Sequence, residues 1–213
     1  MRDSVRIKSV RDAILDATDD LLTRFGYRKM TIDDLAQTVG IGKGTVYLYF
    51  PSKEEIALSH IDRIIERLKA QLWGMANASQ SLETRLKNML VERVMFRFDS
   101  VQHYSAGLNE LLATIRPRLL DRRMRYFEEE ARIFAHVLED GQRSGQFEGD
   151  PLDSARLLLV ATNALLPYSL STRELGAREE IESRIQRLAD LLLNGIVTRQ
   201  ATGAASGASS VPA

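Results

Sequence analysis

Residues 31–50 read TIDDLAQTVGIGKGTVYLYF, in which two short helical patterns flank a turn that contains two glycines. Apolar residues of the first pattern recur at helical spacing, and Thr31 and Asp34 occupy positions that favour the start of a helix. Gly40 ends this helix, and the second runs from about Gly42 to Phe50. Two helices joined by a glycine-bearing turn are the layout of a helix-turn-helix DNA reader.

The second helix is expected to place Val46, Tyr49 and Phe50 on one side and to leave its other side open. Hydroxyl and ammonium groups on the open side suit phosphate oxygens, and a glycine there lets the backbone approach DNA closely. Leu48 either touches a thymine methyl group or is a half-exposed packing residue. The plainer alternative for the whole stretch is an ordinary helical hairpin.

Helical patterns continue on both sides of this stretch. Upstream, apolar spacing predicts a helix over about residues 8–25 that ends at Gly26. Downstream, Ser52 is expected to cap a long helix, and Glu55 is expected to complete a reciprocal capping box. Three helices and the start of a fourth therefore form one compact N-terminal unit.

The order of these motifs resembles the N-terminal domain of TetR-family transcriptional regulators. The resemblance rests on Gly26-Tyr27, on residues 31–36, 39–50 and 52–55, and it is specific over about residues 8–70. It implies an all-α homodimer with two recognition helices, a ligand cavity in each C-terminal domain, and loss of operator affinity on ligand binding.

The resemblance also assigns DNA contacts to individual positions. The residues that match family positions which usually contact the DNA backbone or base edges are Thr31, Lys43, Thr45, Tyr47 and Lys53. Positions 43, 44 and 48 differ most between family members, so the operator sequence stays open. The complete set of predicted DNA-binding residues is Thr31, Lys43, Gly44, Thr45, Tyr47, Leu48, Tyr49 and Lys53.

Composition is that of an ordinary globular protein. The chain has 213 residues, 44% hydrophobic and 27% charged, with 29 basic and 29 acidic side chains and no cysteine. The absence of cysteine excludes disulfides and thiolate metal sites, and the charged N-terminus lacks the apolar core of a signal peptide. We therefore expect a cytoplasmic protein. Residues 24–53 hold five basic side chains against two acidic ones, which suits a local basic surface.

Patterns typical of catalysis are missing. The three glycines of residues 40–44 lack the preceding strand and the lysine-serine ending of a phosphate-binding loop. The histidines show no metal-ligand spacing; they are His60, His103 and His136. We expect no enzymatic activity, no cofactor and no metal.

The rest of the chain predicts further helices. Apolar stripes extend the fourth helix to Met75 and mark others near residues 82–98, 101–115 and 120–138, with Pro117 separating the last two. Another helix starts at Asp150-Pro151, and the last carries residues 181–192. The prediction is an all-α fold of about nine helices: a helix-turn-helix DNA-binding domain, residues 1–53, a helical ligand-binding and dimerisation domain, residues 54–200, and a disordered tail, residues 201–213.

Residues 157–170 read LLLVATNALLPYSL and contain no charge. Such a helix is buried on more than one side, and it is too short to span a membrane. We assign its surplus face to a second subunit that also contacts the last helix, the alternative being a helix central to a monomer core. The predicted dimerisation residues are Leu158, Leu159, Thr162, Leu166, Leu188 and Leu192.

An effector pocket is expected between helices of the C-terminal domain, lined by aromatic and methionine side chains, although each of these side chains also suits plain core. Asn163 needs a polar partner, which is a ligand, a second subunit or a neighbouring carbonyl. The candidates are Trp73, Met89, Phe96, His103, Tyr104, Met124, Phe127, Asn163 and Tyr168.

Together these patterns predict a dimeric, ligand-responsive transcriptional regulator that binds a palindromic double-stranded operator. A repressor released by an unidentified small-molecule effector is favoured. A transcriptional activator and an all-α interaction scaffold that ignores DNA are the alternatives.

Overall fold

The computed structural model describes residues 2–101, 108–166 and 176–196. These residues form eight α-helices and no strand, which confirms the predicted all-α class. The helices are α1 Arg2–Lys29, α2 Ile32–Val39, α3 Lys43–Tyr49, α4 Lys53–Ala76, α5 Leu82–Val101, α6 Leu108–Arg143, α7 Pro151–Thr162 and α8 Arg178–Ile196, with a 3-10 turn at Asn163–Leu165. The first helix begins earlier than predicted, and Gly26 interrupts it with φ 74° and ψ 168° where its end was expected.

The expected break at Pro117 was wrong, and this accounts for eight helices in place of about nine. Helix α6 runs through Pro117 without ending. A proline inside a helix removes one backbone donor, yet the exposed ring needs no space in the core. Packing holds the helix on both sides of it, because Ile115 is fully buried and Leu119 also contacts the N-terminal core.

The N-terminal unit, called the head below, consists of α1, α2, α3 and the first turns of α4. Its core joins buried residues of all four helices, such as Leu15, Leu35, Val46 and Ile56. Two buried residues of α6, Leu111 and Ile115, complete this core.

The remainder, called the body below, consists of the rest of α4 with α5 to α8. Leu68 and Leu72 of α4 and Phe134 of α6 belong to its larger core, and a smaller core lies between α5, α8 and Leu166. Helices α4 and α6 thus contribute to both the head and the body. None of the helices within the described ranges is long and apolar enough to cross a membrane.

Helix α7 is shorter than the apolar run predicted. It ends at Thr162 and passes through the 3-10 turn to Leu166, which is extended at φ −85° and ψ 143°. Pro167 explains this, since the residue before a proline is disfavoured in the helical region. Residues 167–175 and the predicted tail, residues 201–213, lie outside the described residues.

Candidate functional site

Helix α2 begins with the capping box that the sequence indicated. The backbone N–H of Thr31 donates to Asp34 Oδ2 over 2.9 Å, and the backbone N–H of Asp34 donates to Thr31 Oγ1 over 3.1 Å. The Thr31 hydroxyl also donates to Asp34 Oδ2 over 2.7 Å. Thr31 therefore fixes the start of α2 while its side chain remains exposed.

The turn between α2 and α3 depends on Gly40. Its φ of 73° and ψ of 35° lie in the left-handed region, where a side chain is disfavoured. The Gly40 N–H donates to the carbonyl of Gln37 over 3.2 Å, and the Ile41 N–H donates to that of Ala36 over 3.0 Å. These bonds satisfy the end of α2 and set the direction in which α3 leaves.

Helix α3 buries one side and exposes the other, as predicted. Val46 is fully buried, and Tyr49 packs partly against the same core. On the opposite side, Tyr47 is 47% and Leu48 is 84% exposed. Thr45 is half-buried between the two sides. The exposed residues lie one helical turn apart and are called the recognition surface below; they are Lys43, Gly44, Tyr47 and Leu48.

Lys43 does not present a bare charge on this surface. Its Nζ lies 2.7 Å from Asp33 Oδ2, and both side chains are more than half exposed. The hydrogen bond to Asp33, strengthened by the charge of the carboxylate, raises the pKa of Lys43 above its ordinary value. The ion pair also links the start of α2 to the start of α3.

Lys53 makes contacts inside the head. Its Nζ donates to the carbonyl of Met30 over 2.8 Å and to that of Arg28 over 3.3 Å, and it lies 4.4 Å from the centre of the Tyr27 ring. Lys53 therefore holds the connection between α1 and α2 against the start of α4. Its predicted contact with DNA stays a prediction, as does that of every other residue of the DNA-binding set.

Polar contacts between α4 and α6 join the head to the body. Ser52 caps α4 by accepting the Glu55 N–H over 3.1 Å. The Glu55 carboxylate does not complete the predicted capping box; it pairs with Arg118 and Arg122 of α6. Two helical turns further along α4, Asp62 accepts hydrogen bonds from Arg122 and Tyr126. The two arginines draw the Glu55 carboxylate away because they face it across the helix pair.

The described ligand candidates do not line one internal pocket. Met89 is fully buried, whereas Trp73 and Met124 are exposed, so these three cannot share the wall of one enclosed cavity. Phe96 and Phe127 pack at the edge of the body core. The candidates His103, Tyr104 and Tyr168 lie outside the described residues.

Asn163 has the polar partner that its position required. Its Oδ1 accepts a hydrogen bond from Arg93 Nη2 over 2.8 Å. This partner is a buried arginine, which was not among the alternatives weighed from the sequence.

Arg93 is the centre of a group that the sequence analysis missed. Its Nε donates to Glu130 Oε2 over 2.8 Å and its Nη1 to Thr162 Oγ1 over 2.9 Å. Arg97, one turn further along α5, also pairs with Glu130 and donates to the Arg93 carbonyl over 3.0 Å. The buried polar cluster comprises Arg93, Arg97, Glu130, Thr162 and Asn163.

The ionisation of Glu130 follows from these contacts. Burial by itself would raise the pKa of Glu130, but the charges and hydrogen bonds of Arg97 and Arg93 outweigh it and hold the pKa below its ordinary value. The available signal was the spacing of Arg93 and Arg97, which are four residues apart among apolar residues of the stretch VERVMFRF, residues 91–98, because that spacing puts both on one face of a helix.

The predicted dimerisation residues on α7 and just beyond its end face the interior of their own chain. Leu158, Leu159, Thr162 and Leu166 are buried within this chain and cannot contact a second subunit. They fill the body core because α7 packs closely on α6, with Arg156 also pairing with Glu128. Leu188 and Leu192 of α8 are half-buried.

Other apolar residues of α7 and α8 face outward. Leu157 is 63%, Val160 57% and Leu191 73% exposed, although all three are large and apolar. Leu157 and Val160, three residues apart on one side of α7, are called the outer apolar face below. Residues 157–160 are all apolar, so the apolar periodicity of the sequence could not distinguish the exposed side of α7 from its buried side.

Comparison with known proteins matches residues 14–59 to the family described as bacterial regulatory proteins, tetR family. The HTH-type transcriptional regulator EthR of Mycolicibacterium smegmatis is 34% identical over 94 residues, which cover 44% of this chain and 42% of that protein. The chain thus matches less than half the length of this relative.

Two further likenesses extend into the body. The fatty acid metabolism regulator protein of Bacillus subtilis is 27% identical over 157 residues, covering 70% of this chain and 77% of the relative. The crystal structure of a transcriptional regulator from Cytophaga hutchinsonii superposes with a TM-score of 0.72 at 22% identity, covering 88% of this chain and 98% of the other. The latter likeness concerns the fold alone.

Proposed function

Because this chain belongs to the TetR family of helix-turn-helix transcriptional regulators, which are not enzymes, we propose that it is an effector-released repressor. In this proposal it binds a palindromic operator as a homodimer in the cytoplasm. A small-molecule effector bound in the body then lowers its affinity for DNA.

The recognition surface is the observation that carries the proposal. Helix α3 lies on the head with its apolar side anchored by Val46, and the side chains of Tyr47 and Leu48 project from the protein. An exposed helix of this kind can enter a major groove, where hydroxyl and ammonium groups meet phosphates and apolar groups meet thymine methyls.

The outer apolar face supports the homodimer. Leu157 and Val160 are three residues apart on α7, so they share one side of that helix, and both remain exposed in the single chain. A two-fold axis through this region would bury each copy against the other, since an isologous interface uses the same patch twice. Two heads would then be held for half-sites about 34 Å apart.

Helix α6 supplies a physical route from body to head. It contributes Glu130 to the buried polar cluster, Arg122 to the contacts with Glu55, and Ile115 to the head core. At about 1.5 Å per residue, these three positions span roughly 22 Å of one helix. A shift of α6 caused by an effector would therefore move the head and change the spacing of the two recognition surfaces.

The division into a DNA-binding domain, residues 1–53, and a ligand-binding and dimerisation domain, residues 54–200, remains part of the proposal. The sharing of α4 and α6 between the two cores supports their coupled movement.

Selection of binding sites from random double-stranded DNA tests the function. We expect enrichment of a palindrome by the wild-type chain and a loss of affinity of about tenfold, or ~1.4 kcal/mol, for Tyr47→Ala. Phe25→Ala is the matched control, because Phe25 is a similarly exposed aromatic residue outside the recognition surface. Enrichment of no sequence by the wild-type chain would refute the proposal.

A further inference from the structure

We propose that Arg28 and Lys29, the last two residues of α1, supply the main contacts between the head and the phosphate backbone of the DNA duplex. They are called the basic pair below. The two lysines that the family resemblance assigned to DNA, Lys43 and Lys53, then have a smaller part in binding phosphate. This inference rests on the proposed function, because it names the residues through which the same head binds its nucleic-acid partner.

Other cations of the head are already engaged within the chain. Lys43 pairs with Asp33, and Lys53 donates to two backbone carbonyls. Arg24 pairs with a carboxylate one turn earlier on α1, and Arg11 lies over an aromatic ring of the head core. A phosphate that approaches Lys43 also approaches the carboxylate of Asp33, which cancels part of the attraction.

The basic pair differs from these cations. Arg28 and Lys29 are both exposed, and neither side chain makes an ion pair or a hydrogen bond within the described ranges. Their charges therefore attract an approaching anion without first giving up a contact in the protein. A guanidinium can bind a phosphate through two parallel N–H groups, and an ammonium binds it as a point charge.

The basic pair lies beside the recognition helix. The Arg28 carbonyl is 3.3 Å from Lys53 Nζ, so the segment that draws the Lys53 ammonium inward also carries Arg28. Lys29 is four residues before Asp33, whose carboxylate lies 2.7 Å from Lys43 Nζ at the start of α3. Four residues span at most about 14 Å. A helix nearly fills a major groove about 12 Å wide, so side chains at this distance from α3 reach the phosphates along its edges.

The acidic groups near the basic pair do not cancel its charge. Asp33 is paired with Lys43, and Glu54 is paired with an arginine of α6. The carboxylate of Asp34 caps α2, where the unbonded backbone N–H groups at the helix start offset its charge. The connection between α1 and α2 is therefore a positive surface of the kind that attracts a polyanion.

Phosphate contacts have a signature that base contacts lack. They carry no base identity, so the basic pair contributes equally to binding of the operator and of any other duplex. Each contact also releases counterions and adds about 0.9 to the slope of log K against log salt. A residue that only stabilises the fold changes neither this slope nor the ratio of the two affinities.

The salt dependence of DNA binding tests the inference. Fluorescence anisotropy measures the Kd of the full chain for the selected operator and for a scrambled duplex of equal length, over about 50 to 300 mM salt. Each residue occurs twice in a dimer, so Arg28→Gln and Lys29→Gln should each lower the slope by about one unit or more. Each should also weaken binding of both duplexes about tenfold near 150 mM salt and leave their ratio unchanged.

Matched variants assign the effect to the basic pair. Lys43→Gln should lower the slope by less than half as much, and Lys53→Gln should lower Tm while the slope hardly changes. The control is Arg67→Gln, at an exposed arginine of the body that makes no ion pair in the described part of the chain; its slope should equal that of the wild type. Arg28→Lys keeps the charge and should restore most of the slope, which separates loss of charge from loss of folding.

The outcomes separate this inference from the proposed function. If the wild-type chain selects an operator but the double variant Arg28→Gln/Lys29→Gln keeps the wild-type slope, the basic pair is wrong and the regulator stands. The same conclusion follows if Lys43→Gln lowers the slope as much as either change. If the slope falls as expected on the scrambled duplex but no palindrome is selected, the basic pair stands and the proposed function is wrong. Binding to no duplex refutes both.

Discussion

Lys43 Nζ lies 2.7 Å from Asp33 Oδ2, so the cation at the start of the recognition helix is already paired within its own chain. Contact with a phosphate would require Lys43 to leave or share this carboxylate. Asp33 also brings a negative charge close to the surface proposed to meet DNA. We therefore expect the pair to limit affinity for the proposed operator.

Asp33→Asn should raise operator affinity by roughly threefold at low salt and steepen the dependence of log K on log salt by up to about one unit. The free energy of unfolding should hardly change, because the pair is exposed. Gel-shift titrations over a range of salt concentrations measure both effects. Asp20→Asn, which removes an exposed partner of Arg24, is the control, and a variant that binds no more tightly than the wild type would contradict the role given to Asp33.

Leu157→Glu and Leu159→Glu should have different effects although the two residues are only two positions apart. Leu157 is exposed on the outer apolar face, so its change should dissociate the dimer and leave each chain folded. Leu159 is fully buried, so a carboxylate there should destabilise the chain by about 3 kcal/mol or more. Sedimentation and chemical unfolding separate the two results. Leu120→Glu, at an exposed leucine of α6, should remain a dimer, and a dimeric Leu157→Glu would rule out this face.

Glu130→Gln should lower the free energy of unfolding by about 3–5 kcal/mol at neutral pH, because it leaves two buried arginines without their carboxylate. The folded state holds the pKa of Glu130 below its ordinary value. Its stabilisation is therefore complete above that ordinary value and is lost as the pH falls toward the lowered pKa.

Denaturant unfolding over a range of pH measures the pH-dependent part of the free energy of unfolding that Glu130 contributes. This part should be missing from Glu130→Gln. Glu128→Gln is the matched control from the same helix, since it removes a partly exposed partner of Arg156, and it should change stability little. Equal acid sensitivity of the wild type and Glu130→Gln would argue against the ionised carboxylate.

Arg122→Gln should loosen the head, because it removes the side chain that pairs with both Glu55 and Asp62. We expect a broader distribution of distances between the two heads of a dimer and a loss of operator affinity of about fivefold. The chain has no cysteine, so a single cysteine at the exposed Gln37 allows spin labels to report the distance. The control is Arg156→Gln, which breaks the exposed pair between α7 and α6 and should leave the distance distribution unchanged. An unchanged distribution in Arg122→Gln would contradict the proposal that α6 transmits movement from the body to the head.

Local patterns were sufficient for the head. The capping box of Thr31 and Asp34, the left-handed Gly40 and the buried side of α3 all depend on residues within a few positions of one another, so the sequence predicts them well. The same local rules failed at Pro117, where packing of Ile115 and its neighbours outweighs the missing N–H, and at Glu55, whose carboxylate is drawn to two arginines more than sixty positions away.

By itself, the sequence determined that the chain is helical, where most of its helices begin, and which side of the recognition helix is exposed, because backbone caps, glycine dihedrals and apolar periodicity act over one or two turns. Only the tertiary structure decided which leucines of α7 are buried and that Arg93 and Arg97 meet a single Glu130. Burial and charge pairing depend on which distant helices come together, and an apolar run or an isolated arginine is compatible with several such arrangements until the packing selects one.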